Sequence, residues 1–256
     1  MILKVSDINF KYKSIKILEN INFNIEKGKI TMILGPNGVG KTTLLKCLNK
    51  VLKPDDGEVY IDKKPVSRMN IKEVALYMSY VAQKNDPVKI TVFDAVLMGR
   101  LPHHKYRTAK NDHKKVNSIM EKLNLSCMGL KNLDELSGGE LQQVAIARAL
   151  TQETEILLMD EPTSSLDLSN QSNILNIIRR IALEHDIAVI MTMHDLNAAL
   201  RYGDKYICLK DKTIFRAGDI ENISSDIIEQ VYGLPVDIVK HKGFPLVVPM
   251  DTEKAA

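Results

Sequence analysis

Between residues 35 and 42 the chain reads Gly35-Pro36-Asn37-Gly38-Val39-Gly40-Lys41-Thr42, a fit to G-x-x-x-x-G-K-[ST]. No other segment restricts the fold as much. Such a loop works between a buried strand and a helix start, where backbone N–H groups turn inward on phosphate oxygens and the helix N-terminus adds partial positive charge. The flanks agree. Ile30-Thr31-Met32-Ile33-Leu34 is a compact apolar run of the kind buried on both faces, and Thr42 to Val51, with Thr43 in the first turn, reads as a helix. Glycines let the backbone curl, Lys41 can reach β- and γ-phosphates, and the Thr42 hydroxyl is a ligand for Mg²⁺. A chance match in a chain of average composition is on the order of one per cent, so the motif predicts a phosphate cradle.

The rest of the chain supports an α/β fold. Ile2 to Val5, Ile21 to Ile25 and Glu58 to Asp62 alternate as half-buried strands, with turns at Glu26 to Lys29 and Pro54 to Gly57. Met78 to Ala82 is a short apolar strand ending at Gln83. From about Asp86 to Gly138 the texture becomes helical, which predicts an inserted helical subdomain within a single domain spanning 1–256. Glu155 to Met159 and Ala188 to Thr192 read as buried strands separated by a helix over Ser169 to Glu184, the alternation that makes a parallel sheet.

Two further segments carry chemistry. Ile156-Leu157-Leu158-Met159-Asp160-Glu161 delivers two carboxylates to the C-terminal end of a strand, the edge at which open α/β sheets bind ligands. Asp160 there is a candidate to hold Mg²⁺, and Glu161 to polarise the water that attacks a γ-phosphate. Leu136-Ser137-Gly138-Gly139-Glu140 leads into the helical run Leu141 to Leu150 and makes a second anion-binding helix start. One nucleotide needs one phosphate cradle per chain; this chain has two.

In these motifs the chain resembles the ATP-binding cassette (ABC) family over nearly its full length. The resemblance implies a P-loop NTPase fold with a parallel-sheet core, an N-terminal antiparallel β-subdomain and a helical insert. It implies ATP with Mg²⁺ as the bound species and ATP hydrolysis as the activity. Leu136 to Glu140 matches the signature motif, with Ser137, Gly138 and Gly139 as nucleotide contacts, and Asp160-Glu161 matches the Walker B pair. Gln83 resembles the Q-loop glutamine that senses Mg²⁺ and the transmembrane partner. Ser165-Leu166-Asp167 resembles the D-loop. His194 resembles the switch histidine that contacts the γ-phosphate. Tyr12 lies where the family places a ring that stacks on adenine, with Phe10 and Tyr60 as alternative aromatics. One departure is visible: Leu141, Gln142 and Gln143 follow the signature where basic residues are usual. The resemblance further implies a head-to-tail homodimer in which each ATP lies between one chain's P-loop and the other's signature. Permease subunits and, indirectly, an extracytoplasmic substrate-binding protein are the implied partners, and the cytoplasmic face of the cell membrane the implied location.

Thr91 to His103, and the tail segments Val231 to Val236 and Pro245 to Pro249, are similar to importers of iron–siderophore, haem and cobalamin. Molybdate and tungstate importers and exporters are the alternatives. A non-transport cassette acting on DNA or ribosomes fits less well, since no long coiled-coil insert or tandem cassette occurs. His103 and His104 read as a polar loop rather than metal ligands. A formal net charge of +3 is too small to argue for nucleic acid, and aromatics at 5% with no Trp make a base-stacking platform a poor fit. No segment has the roughly 18 uninterrupted apolar residues of a membrane span, nor does Met1 to Lys13 read as a signal peptide. Cys47, Cys127 and Cys208 lack paired spacing and read as reduced, buried thiols.

Overall fold

The structure, a computed structural model, describes residues 1–83, 88–104 and 110–250. In chain order the elements begin with β1 (Leu3–Tyr12), β2 (Ile15–Ile25), β3 (Ile30–Leu34), α1 (Lys41–Leu48), β4 (Asp56–Ile61) and β5 (Lys64–Pro65). Next come α2 (Ile71–Tyr77), β6 (Met78–Val81), α3 (Val92–Leu97), α4 (Lys110–Lys122), α5 (Gly138–Thr151) and β7 (Ile156–Asp160). The chain continues through α6 (Leu168–Glu184), β8 (Ala188–Thr192), α7 (Leu196–Tyr202), β9 (Lys205–Lys210) and β10 (Thr213–Asp219). It closes with α8 (Ser225–Tyr232), β11 (Val236–His241) and β12 (Phe244–Pro249).

A six-stranded sheet in the order β10-β9-β3-β8-β7-β6 forms the centre, with antiparallel pairing only between β9 and the edge strand β10. Every residue of β3, β7 and β8 is buried, as their unbroken apolar runs require. Successive residues feed opposite layers. Met32, Leu157, Met159 and Met191 join a core under the helices from α3 onward, whereas Ile33, Ile156, Leu158 and Ile190 pack toward α1 and the antiparallel sheet β2-β1-β4-β5. The expected α/β architecture, with a parallel core and an N-terminal antiparallel sheet, is what the chain adopts. Register then decides where the chemistry gathers: Ile33 pairs with Thr192, Thr192 with Asp160, and Met159 with Val81. The loops after β3, β6, β7 and β8 therefore emerge along one edge.

Several boundaries differ from expectation. Strand β1 runs on to Tyr12, past the Ile2 to Val5 reading, because register shifts interrupt its alternation and Asp7 takes φ 53°. Gly57 fits against that bulge: a Cβ there would lie 2.3 Å from the Asp7 carbonyl oxygen. Helix α1 stops at Leu48 rather than Val51, since Lys50 turns left-handed at φ 57° and its ammonium donates to the Val66 and Ser67 carbonyls. Helix α2 has no counterpart in the sequence reading, although its capping box of Asn70 and Glu73 is a legible signal.

Between β6 and β7 the regular elements among the described residues are helices, joined by turns and by an isolated bridge between Thr91 and Asn132. Buried Arg100 anchors this segment, donating to Asp112 Oδ1 at 2.9 Å, Thr151 O at 2.8 Å and Glu153 Oε2 at 2.9 Å. Burial works to raise the Glu153 pKa, but the hydrogen bond from Lys115 and the Arg100 and Lys115 charges outweigh it and hold the carboxyl below its ordinary value. His103 Nε2 meets Gln152 O at 2.7 Å, and His104 Nε2 lies 2.6 Å from Asp112 Oδ2. Both histidines thus act as ties between this segment and its neighbours.

One of the three cysteines departs from the expected burial. Cys47 and Cys208 are buried and desolvation pushes both thiols up to about 12, but Cys127 is exposed in the short turn after α4. In the native protein at neutral pH, a thiol-specific chromogenic reagent is expected to modify Cys127 quickly and the two buried thiols only on unfolding. Fast modification of all three would contradict this packing. Among the described residues no helix is long and apolar enough to cross a membrane.

Candidate functional site

Along the edge where β3, β6, β7 and β8 end, a cleft of about 430 Å³ is lined by Tyr12, Ile17, Asn37, Gly38, Gly40, Lys41, Thr42, Thr43, Gln83, Glu161 and His194. The loop after β3 supplies its floor. Gly35, Gly38 and Gly40 have φ of 146°, 79° and 110°, a backbone course that L-residues resist. Gly40 is further held to glycine by space, since a Cβ would meet Ile17 and Leu18 side-chain carbons at 3.0 Å. Gly35, Pro36 and Val39 form the back of the loop rather than its lining.

Lys41, only 6% exposed, donates its ammonium to Gly35 O at 2.7 Å and Pro36 O at 3.1 Å. Burial lowers its pKa, opposed by the nearby charges of Glu161 and Asp160. A buried cation bonded to its own loop's carbonyls can exchange them for phosphate oxygens without leaving the cleft.

Three residues from three different loops meet over this floor. The Gln83 amide donates to Glu161 Oε2, and His194 Nε2 lies 2.7 Å from Glu161 Oε1. Glu161 itself is 7% exposed and adopts φ 49°, an uncommon conformation for a side-chain-bearing residue, with its N–H donated to Thr192 Oγ1 at 2.9 Å. The same Thr192 hydroxyl donates to Asp160 Oδ1 at 2.8 Å. One threonine therefore orients both members of the acidic pair.

Thr42 and Gln83 line the cleft and offer a hydroxyl and an amide oxygen, and Asp160, next in the chain to Glu161 but absent from that lining, adds a carboxylate. No group of three His, Cys, Asp or Glu among the described residues makes a metal site unaided. Such a hard-oxygen set fits a small divalent cation that brings phosphate oxygens and water with it. Burial raises the Tyr80 phenol first, and the charge of Asp160 and a hydrogen bond to its carboxylate push it the same way.

At the rim, Tyr12 is 46% exposed and packs edge-on against buried Phe10, ring centroids 4.8 Å apart. Tyr60 lines a separate surface cleft with Met1 and Ile2. Sequence reasoning missed Ile17, which lines the cleft, and Thr192, which bonds both acids from β8; each is an ordinary strand residue, and only strand pairing gives it that place.

The remaining candidates lie elsewhere. Ser137 caps α5 in a capping box, donating its N–H and hydroxyl to Glu140 at 2.8 and 2.7 Å, and those bonds hold the Glu140 carboxyl below its ordinary range. Gly139 packs beside Ser165 and Leu166, where a Cβ would find the Ser165 carbonyl oxygen at 3.2 Å. Asp167 caps α6, accepting from Asn170 N–H at 2.8 Å. Ser137, Gly138, Gly139 and Asp167 are all absent from the lining of the P-loop cleft.

Residues 18–164 match the family model described as ABC transporter. An uncharacterised ABC transporter ATP-binding protein of Methanocaldococcus jannaschii is 48% identical over 98% of both chains. The iron(3+)-hydroxamate import ATP-binding protein of Bacillus subtilis is 36% identical over 93% of this chain and 90% of its own. A solved structure described as a metal-chelate type ABC transporter in an inward-facing conformation superposes with a TM-score of 0.84 at 28% identity, covering 98% of each chain. With its P-loop, acidic pair and parallel sheet assembled as above, the chain belongs to the ABC transporter family, as one of its ATP-binding and ATP-hydrolysing cassettes.

Proposed function

We propose that this cassette powers a multi-subunit importer of an iron chelate, haem, cobalamin or a similar metal-containing substrate. The observation that carries the mechanistic part is the meeting of Gln83, Glu161 and His194 over the P-loop. Glu161 accepts the proton of the attacking water, His194 contacts the γ-phosphate and Gln83 orients the carboxylate between them. Gly35 to Thr43 enclose the phosphates, and Tyr12 stacks on the adenine. Thr42, Gln83 and Asp160 would hold Mg²⁺, which neutralises charge on the β- and γ-phosphates when bound.

Two copies act head to tail. In its own chain the Ser137 to Gly139 helix start lies outside the P-loop cleft, which supports its pairing, together with Asp167, with the nucleotide of a second copy. The chain acts as one ATP-binding domain over 1–256, and residues 88–104 and 110–138 of the segment 86–138 serve as its helical subdomain, the rest of that segment lying outside the described residues. It sits peripherally at the cytoplasmic face of the membrane on permease subunits, supplied by an extracytoplasmic binding protein.

The substrate class rests on the B. subtilis relative, whose name specifies iron(3+)-hydroxamate import, and on the subfamily-like stretches at Thr91 to His103 and in the tail. Affinity purification of the chain from membranes of its source cells is expected to bring down a multi-span permease. The binding protein that serves that permease is expected to carry an iron chelate or a tetrapyrrole when its ligand is read by mass spectrometry and metal analysis. Molybdate or tungstate in that protein, or a permease that works outward, would overturn the substrate assignment.

A further inference from the structure

Beyond the family motifs, the C-terminal tail reaches the back of the phosphate loop. Tyr232, the last residue of α8, accepts a hydrogen bond at its hydroxyl from the Gly35 N–H at 2.9 Å. Gly35 is the hinge between β3 and the phosphate loop. A Cβ on it would lie 2.6 Å from the Leu209 carbonyl oxygen, so this residue is already seated against β9. Its own carbonyl receives the Lys41 ammonium. Tyr232 therefore grips the N–H of the residue whose carbonyl parks the phosphate-binding lysine.

The tail is itself anchored beside the other half of the site. Asn197, in the first turn of α7 just after His194 and Asp195, accepts from Val247 N–H at 2.7 Å and donates to Val247 O at 3.4 Å. Glu229 on α8 accepts from Val236 N–H at 3.1 Å, and Ser225 Oγ from Ile238 N–H at 3.2 Å, tying the β11–β12 hairpin to the helix that carries Tyr232. Helix, hairpin and the start of α7 thus make one braced unit spanning from the P-loop to the segment after the switch histidine.

We infer that Tyr232 is a positioning residue for ATP binding, whose hydroxyl fixes the entrance of the phosphate loop while Lys41 shifts from loop carbonyls to phosphates. Its ring is partly buried against the helical-side core, and burial pushes the phenol up to about 12, so it stays neutral across physiological pH. A neutral hydroxyl that accepts one backbone N–H acts alike on ground and transition states. The expected signature is a change in KM without one in kcat.

The inference rests on reading Gly35 to Thr42 as the ATP site, and the test separates the two. The full chain is titrated with a fluorescent methylanthraniloyl ATP analogue and assayed for steady-state ATPase, comparing wild type, Tyr232→Phe and Lys41→Ala. Tyr232→Phe removes only the hydroxyl and is expected to weaken analogue binding and raise KM by about three- to tenfold, a single hydrogen bond's worth, with kcat within about twofold. If Lys41→Ala abolishes binding while Tyr232→Phe leaves affinity and KM unchanged, Tyr232 is a structural brace and the inference is wrong, whatever happens to the melting temperature. If Lys41→Ala still binds the analogue like wild type, the reading of the loop itself fails.

Discussion

Glu161→Gln is expected to lower ATP turnover by about 10²- to 10⁴-fold, the range for loss of a positioned general base, while ATP still binds within a few-fold of wild type. The substitution keeps side-chain length and leaves an amide in the small space between Gln83 and His194, where Glu161 now receives both groups. It removes the only function that shape cannot replace, a carboxylate able to take a proton from water. The backbone constraint at φ 49° and the bond from Glu161 N–H to Thr192 are untouched, so folding is expected to be unchanged. The two readouts are single-turnover hydrolysis and size-exclusion chromatography with ATP, in which the variant is expected to accumulate as a nucleotide-bound dimer. Hydrolysis at the wild-type rate would remove Glu161 from the role of base.

Arg100→Ala is expected to cost about 3–5 kcal/mol of stability, the price of stranding a partner of a buried ion pair. Arg100 is 5% exposed and Asp112 2% exposed, so water cannot easily replace the guanidinium. The same side chain satisfies the Thr151 carbonyl at the end of α5, and its charge helps keep Glu153 ionised. Truncation therefore leaves one buried carboxylate short of its main cation and one helix-end carbonyl without a donor. Urea unfolding followed by circular dichroism measures the loss. A cost under about 1 kcal/mol, the range of exposed ion pairs, would mean that the site opens to solvent or that His104, 2.6 Å from Asp112, takes over as counter-charge.

Much of this site was legible beforehand because each motif is a local backbone or charge requirement. A phosphate cradle needs glycines at particular offsets, and Gly35, Gly38 and Gly40 do hold positive φ. A buried strand needs an unbroken apolar run, and Ile30–Leu34 and Ala188–Thr192 appear with the expected ends. Elsewhere the local signal misled. The bulges of β1 interrupt the alternation that marks a strand, so most of it, Ser6 to Tyr12, lies beyond the Ile2 to Val5 reading. Propensity favours a helix running on to Val51, but α1 ends at Leu48, where Lys50 turns left-handed and its ammonium donates to the Val66 and Ser67 carbonyls. Cys127 looked like any other isolated thiol, because exposure is a property of the surrounding packing.

By itself, the order of residues determined which chemistry the chain can perform: a phosphate loop, an acidic pair and a second helix start. Each is encoded in a few neighbouring positions. Only the tertiary structure decided which of them share one site. The parallel register of β3, β8, β7 and β6 brings Gln83, Glu161 and His194 into contact across long stretches of chain, and the turn of α8 sets Tyr232 on Gly35. The same packing leaves Ser137 to Gly139 outside that cleft. The physical reason is that strand pairing and layer packing are non-local: they depend on how whole apolar faces are buried against each other, which short-range spacing does not record.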